Sequence, residues 1–322
     1  MKDFSYVIGA DIGGGTARVA AVSRSGKIIK KIAIVTDPAA GYKQLLQRVG
    51  AAMDQLIAHR KGELPRAMCV ACAGAVDFKK NVIASSPNFP GWKNVPLATG
   101  LGHGRRFPVI LENDANAAAA GEGWVGAARR WPSFAMFTLG TGVGGGIALE
   151  GKLFRGENGM AGELGHMPLG DLDRKCGCGR MGCLETSASA TGVAVSGKDI
   201  LHTKSGAPLR KACSGDPGKV TAKLIAQLAA KGDKGCLAIM NKAGRQLGDA
   251  MGTLTLSIGL SKFVIAGGMA GAFGLLKDPM RQAALERAYT LRPGDLKIAR
   301  STLGDDAGLL GAAFIAWGIG VK

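Results

Sequence analysis

Apolar positions change period along the chain, and the changes mark its elements. From residues 4 to 12 they are nearly continuous and run into Gly13-Gly14-Gly15, as in a buried strand. Residues 17–23 and 27–35 read as two further strands, joined at Ser25-Gly26, a turn signal. Over residues 41–60 the period becomes helical, through Leu45, Leu46, Val49, Met53, Leu56 and Ile57. Short strands are predicted at 66–73 and 107–111, the second ending in Glu112-Asn113-Asp114, and the alanine-rich 115–128 reads as a helix. A second round then begins: a strand over 133–139, a glycine turn over 140–146 and a returning strand over 146–150. Helices at 220–231 and 237–257 precede a strand at 262–266, and a last helix covers 307–317.

Strand, glycine turn, strand thus occurs twice, near residues 10 and 140. The pattern predicts an α/β protein of two lobes, each opening with a glycine hairpin, that bury a nucleotide in the cleft between them. Residues 1–113 with about 306–322 form the smaller first lobe in this reading, and 114–305 the larger second lobe, with a hinge near 113–116. A length of 322 residues suits two such cores. Hydrophobic residues at 47% and charged residues at 20% supply them and argue against disorder. The longest mainly apolar stretch, 263–276, contains three glycines and is too short to span a bilayer. The charged start MKDFSYVIGAD lacks a signal-peptide core. No membrane partner is expected, and the cytoplasm is the expected location. The net charge of +17 draws anions, nucleotides and nucleic acids alike. Its basic residues are scattered as isolated pairs, however, and 10 Phe, 4 Trp and 3 Tyr make a poor base-stacking platform. Specific nucleic-acid binding is therefore not expected.

Four constellations carry candidate chemistry. In Asp11-Ile12-Gly13-Gly14-Gly15-Thr16, glycines let backbone N–H groups approach phosphate oxygens and the threonine adds a hydroxyl donor. Asp11, at the strand end, can hold Mg²⁺ through water. A plain tight hairpin explains this segment equally well. Leu139-Gly140-Thr141-Gly142-Val143-Gly144-Gly145-Gly146 has more glycine than a turn needs, which implies a ligand close to the backbone. Neither turn has the Walker spacing or opens a long helix as a dinucleotide fingerprint does. Glu112-Asn113-Asp114 has two readings: a helix N-cap, or Asp114 as a general base with Asn113 holding a hydroxyl. Finally, Gly162-Glu163-Leu164-Gly165-His166 is followed by Cys176-Gly177-Cys178-Gly179-Arg180-Met181-Gly182-Cys183-Leu184-Glu185. His166, Cys176, Cys178 and Cys183 supply four donors for tetrahedral zinc, and a fully protein-ligated ion is structural. Glu163 and Glu185 flank the cluster as oxygen acceptors suited to sugar hydroxyls. Seven cysteines, an odd count, argue against a disulfide framework.

Together these pieces resemble the ROK family of bacterial sugar kinases and sugar-responsive repressors. Pro87-Asn88-Phe89-Pro90-Gly91-Trp92, Ile265-Ala266-Gly267-Gly268 and Leu303-Gly304-Asp305-Asp306-Ala307-Gly308 extend the resemblance over nearly the whole chain. It implies a two-lobed actin/hexokinase-like (ribonuclease H-like) fold and ATP-dependent phosphorylation of a hexose, with glucose to glucose 6-phosphate the first expectation. By resemblance, Asp114 is the catalytic base, and Gly74, Asn88, Asn113, Glu163, His166 and Glu185 contact sugar. His166 then serves both zinc and sugar. Asp11, Gly13, Gly14, Gly15, Thr16, Gly140, Thr141, Gly142, Gly267 and Gly268 match the ATP site. ATP, Mg²⁺ and structural Zn²⁺ are the implied cofactors, and a homodimer the implied assembly. The first turn departs from the family in having a third glycine, with Ala17 where Lys or Asn is common.

Fructose, mannose, allose and N-acetylated amino sugars present similar hydroxyl patterns and remain alternative substrates. A repressor of the same family carries a helix-turn-helix segment ahead of the first glycine turn. Only ten residues precede Asp11, so a kinase is the expectation. A non-catalytic sugar-binding module would not need Asp114 beside two intact phosphate turns.

Overall fold

The computed structural model describes residues 4–318, so the outermost parts of the first-lobe expectation, 1–3 and 319–322, lie outside the described residues. The chain opens with β1 (Tyr6–Ile12), β2 (Thr16–Ser23), β3 (Ile28–Val35), α1 (Gly41–His59) and β4 (Met68–Cys72). It continues through β5 (Ala75–Asp77), β6 (Val82–Ser85), α2 (Leu97–Gly102), β7 (Val109–Asn113) and α3 (Asp114–Val125). Next come β8 (Phe134–Leu139), β9 (Val143–Leu149), β10 (Lys152–Leu153), α4 (Glu185–Ala188), α5 (Ala190–Ile200) and α6 (Ala207–Ala212). The last stretch holds α7 (Ala222–Ala230), α8 (Lys234–Ile258), β11 (Lys262–Ala266), α9 (Phe273–Arg287), β12 (Lys297–Arg300) and α10 (Ala307–Trp317).

One five-stranded sheet runs β3-β2-β1-β4-β7 and the other β10-β9-β8-β11-β12. In the first, β1 to β3 form an antiparallel meander, and β4 and β7 add in parallel. Strand β1 shows why its apolar run is continuous. Tyr6, Ile8, Ala10 and Ile12 pack with Leu45, Val49, Met53 and Leu56 of α1, while Val7 packs with Leu309, Ile315 and Trp317 of α10. The period-2 alternation of a strand feeds two cores. Gly9 lies on the α10 side, where a Cβ would stand 2.5 Å from the Leu309 carbonyl oxygen.

Among the described residues two compact units are formed, 4–132 with 146–162 and 302–318, and 133–145 with 163–301. Helix α3, assigned to the second lobe from sequence, belongs to the first unit because it packs on α10. The chain therefore passes between units near 132, 145, 162 and 301, not at 113–116. The α3–α10 contact is a backbone-close crossing. A Cβ on Gly311 would lie 1.5 Å from the Ala117 carbonyl oxygen, and one on Gly121 2.3 Å from that of Ala307.

The second glycine motif also differs from expectation. Val143 already begins β9, so Gly144, Gly145 and Gly146 are strand, not turn. Gly146 is small because α3 presses on it: a Cβ there would lie 2.7 Å from Ala119 Cβ and 2.9 Å from the Ala115 carbonyl oxygen. In the second unit, α8 packs along α9, a helix the sequence reading did not find. Gly244, Gly248 and Gly252 recur every fourth residue on α8 and face Pro279, Met280, Ala283 and Arg287 of α9. Among the described residues, no helix is long and apolar enough to cross a membrane.

Candidate active site

In the first unit, the first glycine turn closes with the Gly13 N–H donating to the Thr16 carbonyl at 3.0 Å. Thr36, which the sequence reading overlooked, donates its hydroxyl to the Gly13 carbonyl at 2.9 Å. Asn88 comes to this turn: a Cβ on Gly14 would lie 3.3 Å from the Asn88 Cβ. The Phe89 and Trp92 rings stack at 4.2 Å and anchor the loop that carries Asn88.

The junction of β7 and α3 has the helix cap that one reading of Glu112-Asn113-Asp114 expects. Asn113 is the N-cap, its Oδ1 accepting from the N–H groups of Ala115 at 2.9 Å and Asn116 at 3.1 Å. Its Nδ2 donates to the Gly74 carbonyl at 3.1 Å, so the two predicted sugar contacts lie side by side. Gly74 has φ +130°, and a Cβ there would lie 2.2 Å from the Ser85 carbonyl oxygen. Asp114 is the first helical residue, half-buried, where the helix dipole complements negative charge.

Asp11, at the end of β1, feels Asp114. Burial first, and then the Asp114 charge, push the Asp11 carboxyl up to about 7; Arg18, 3.8 Å away, opposes them, while Asp305 and Asp306 add to the rise. Arg18 also reaches Asp305 at 3.2 Å, and Lys31 holds Asp306 at 2.7 Å. A half-buried carboxyl in the field of a second one is a donor set suited to a hard divalent cation.

In the second unit, Gly140 to Gly142 form the turn between β8 and β9, with the Gly140 carbonyl accepting from the Ala190 N–H at 2.8 Å. Thr141 is exposed at its tip. Gly267, at φ +83°, lies against the end of β8, where a Cβ would stand 2.5 Å from the Leu139 carbonyl oxygen. Gly268 therefore adjoins the second turn. Gly140 and Gly268 border a cavity of about 910 Å³ lined mainly by Ala, Gly, Leu and Met side chains. Among the described residues, its polar side chains are Lys223 and Gln227 of α7. No sequence motif marked α7 for this role. Apolar walls with few polar groups are typical of small-molecule sites.

The four predicted metal ligands converge, all four donor atoms lying within 4.8 Å of one another. A tetrahedral zinc with Zn–S near 2.3 Å separates neighbouring donors by about 3.7 Å. Cys178 Sγ and Cys183 Sγ are 3.6 Å apart, and Cys176 Sγ is 3.7 Å from His166 Nδ1. The His166 Nε2 faces the other way, 3.9 Å from Glu163. The Arg180 backbone N–H holds the Cys178 thiol below its ordinary value. Glu185 bridges this cluster to the second turn. Its Oε1 accepts from Cys176 Sγ at 2.8 Å, and its Oε2 faces the Val143 N–H at 3.4 Å. A Cβ on Gly142 would lie 2.6 Å from that Oε2, so Gly142 is small partly to admit Glu185.

Comparison with known proteins matches the same frame. The glucokinase of Thermotoga maritima is 34% identical over 312 residues, covering 96% of each chain. A ROK family glucokinase from Streptomyces griseus, solved in complex with glucose and AMPPNP, is 31% identical at a TM-score of 0.78, covering 97% of this chain and 99% of that one. The ROK hexokinase of Thermus thermophilus is 30% identical at a TM-score of 0.80, with 97% and 98% covered. The two sheets with their helices have the actin/hexokinase-like, ribonuclease H-like fold of these structures. The ROK family model matches residues 7–318, nearly the whole chain, and this chain belongs to the ROK family.

Proposed function

We propose that this protein is an ATP-dependent hexose kinase that converts glucose to glucose 6-phosphate. The observation that carries the reading is Asp114 at the head of α3, next to the capping Asn113 and within the field of Asp11, in a chain similar over nearly its whole length to glucokinases. Asp114 accepts the proton of the sugar hydroxyl as its oxygen bonds to the γ-phosphorus. The bond from that phosphorus to the β–γ bridging oxygen breaks, and its electron pair leaves with ADP.

Asn113 spends its oxygen on two backbone N–H groups and one Nδ2 hydrogen on Gly74. It serves the sugar with its second Nδ2 hydrogen, as a donor only. Gly74, Asn88, Glu163, His166 and Glu185 hold the other hydroxyls. The purine and ribose occupy the cavity beside Gly140 and Gly268, while Thr141, Gly142, Gly267 and the N–H groups of Gly13 to Gly15 with Thr16 serve the phosphates. Asp11 holds Mg²⁺, which offsets phosphate charge when bound. His166, Cys176, Cys178 and Cys183 hold structural Zn²⁺, leaving the His166 Nε2 for the sugar. The protein acts as a homodimer, which light scattering tests.

A panel of glucose, fructose, mannose, allose and N-acetylated amino sugars with ATP and ADP detection tests the function. Glucose should give the highest kcat/KM. A higher value for another sugar replaces glucose as substrate, and no sugar-dependent ADP from any of them overturns the kinase reading.

A further inference from the structure

Behind the β7–α3 junction lies a buried ion pair that the proposed chemistry does not use. Glu112 is fully buried, and its Oε2 accepts from Arg155 Nε at 2.8 Å and from Arg155 Nη2 at 2.5 Å. The other oxygen, Oε1, accepts from the Asn113 backbone N–H at 3.0 Å and from Asn116 Nδ2 at 3.1 Å. One carboxylate thus joins a guanidinium to the backbone N–H of Asn113, the residue before Asp114. Arg155 is itself held, its guanidinium 5.5 Å from the centre of the Phe78 ring. Gly159 approaches that ring so closely that a Cβ would lie 2.5 Å from Phe78 Cδ2. Glu112, Asn113, Asp114, Phe78 and Arg155 all belong to the first unit.

We infer that Arg155 is a positioning residue for the phosphoryl transfer: through Glu112 it fixes the Asn113 peptide and so aims the Asp114 carboxylate. Two N–H donors of one rigid guanidinium converge on Oε2 and fix that oxygen in direction as well as distance, which a point charge does not do. The other oxygen, Oε1, then fixes the Asn113 N–H, and the Asn113 cap sets the first turn of α3. Misplacing a catalytic group by about 1 Å costs about 100-fold in rate, so a loosened junction lowers kcat more than it lowers nucleotide affinity.

The inference rests on Asp114 being the base, and the test separates the two. Arg155→Met, Arg155→Lys and the double variant Arg155→Met with Glu112→Gln are compared with Asp114→Asn, well below each melting temperature. Arg155→Met should lower glucose-dependent kcat about tenfold or more and leave the KM for ATP within about twofold. Arg155→Lys should recover part of the loss. In the double variant the amide carbonyl introduced by Glu112→Gln still accepts from the Asn113 N–H and leaves no buried unpaired charge, so stability and part of kcat should recover. A merely structural role predicts lower melting temperatures with unchanged kcat per folded molecule. If Arg155→Met does not fold, Arg155→Lys decides: full wild-type kcat overturns the positioning role, and a reduced kcat at unchanged ATP KM supports it. If Arg155→Met keeps wild-type kcat while Asp114→Asn is inactive, the inference fails and the base assignment stands. If Asp114→Asn is active, the base assignment itself fails.

Discussion

Replacing Asp114 by Asn should abolish turnover and at the same time stabilise the protein at alkaline pH. The catalytic part follows from the lost proton acceptor, worth about 10²–10⁴-fold in kcat, or about 3–5 kcal/mol of barrier. The N-cap survives, because the capping oxygen belongs to Asn113. Stability follows from Asp11, whose carboxyl is pushed up to about 7 from an ordinary 3.8 by burial and then by Asp114. The folded state therefore binds that proton more tightly than the unfolded chain. Stability from this group is highest below about pH 4, falls as pH rises towards 7, and stays reduced above it. A shift of about three units corresponds to about 4 kcal/mol. Burial is the larger cause, so removing the Asp114 charge recovers only a part, on the order of 1 kcal/mol. At roughly 2–4 °C per kcal/mol for a chain of this size, Asp114→Asn should melt a few degrees above wild type at pH 8 and lose that advantage near pH 4. Thermal melts across pH, ADP release and calorimetric titration of sugar check both halves. A kcat within tenfold of wild type refutes the base. A melting difference that does not depend on pH refutes the repulsion between Asp11 and Asp114.

Protein prepared without chelator should contain one zinc per chain by elemental analysis, and Cys178→Ser should lose the metal and sugar affinity together; normal sugar affinity in a zinc-free variant would separate the two. Gly311→Ala places a methyl group against the Ala117 carbonyl oxygen and should destabilise the first unit by more than about 3 kcal/mol, read as a lower denaturant midpoint. Ala226→Trp fills the cavity beside Gly140 and Gly268; it should raise the KM for ATP tenfold or more at unchanged KM for glucose, and an unchanged ATP KM removes the purine from that cavity.

Much of the architecture is legible in short stretches of chain. The doubly buried β1, the amphipathic α1, the strand–turn–strand hairpins and the helices α3, α7, α8 and α10 all announce themselves within a few residues, since periodicity and capping act over one or two turns. The His-Cys-Cys-Cys cluster is equally local. Ten, two and five residues separate its ligands, and the glycines between them let the chain fold back on itself. Asn113 shows the limit of such reading: cap and sugar contact read as rivals, whereas the cap takes only the amide oxygen and leaves Nδ2 to the Gly74 carbonyl and beyond.

Other features depend on partners far along the chain. Helix α9 is obscured by Gly271 and Gly274 near its start and by Pro279 within it, and it is held by the glycine face of α8. The glycines of 144–146 look like phosphate-turn residues, but they lie in β9, and Gly146 is small because α3 presses on it. Arg155 stands in a glycine-rich segment with no local signal, 43 residues from the carboxylate it holds. The cavity wall of α7 is ordinary amphipathic helix until β8 and Gly268 close the other side. Backbone preference, period and donor spacing are set by neighbours in sequence, so the sequence alone determined the longer elements other than α9 and the candidate chemistry. Which glycine admits a helix, which cation neutralises a buried acid and which helix walls a cavity were decided only by tertiary packing, because steric exclusion and desolvation arise when distant segments meet.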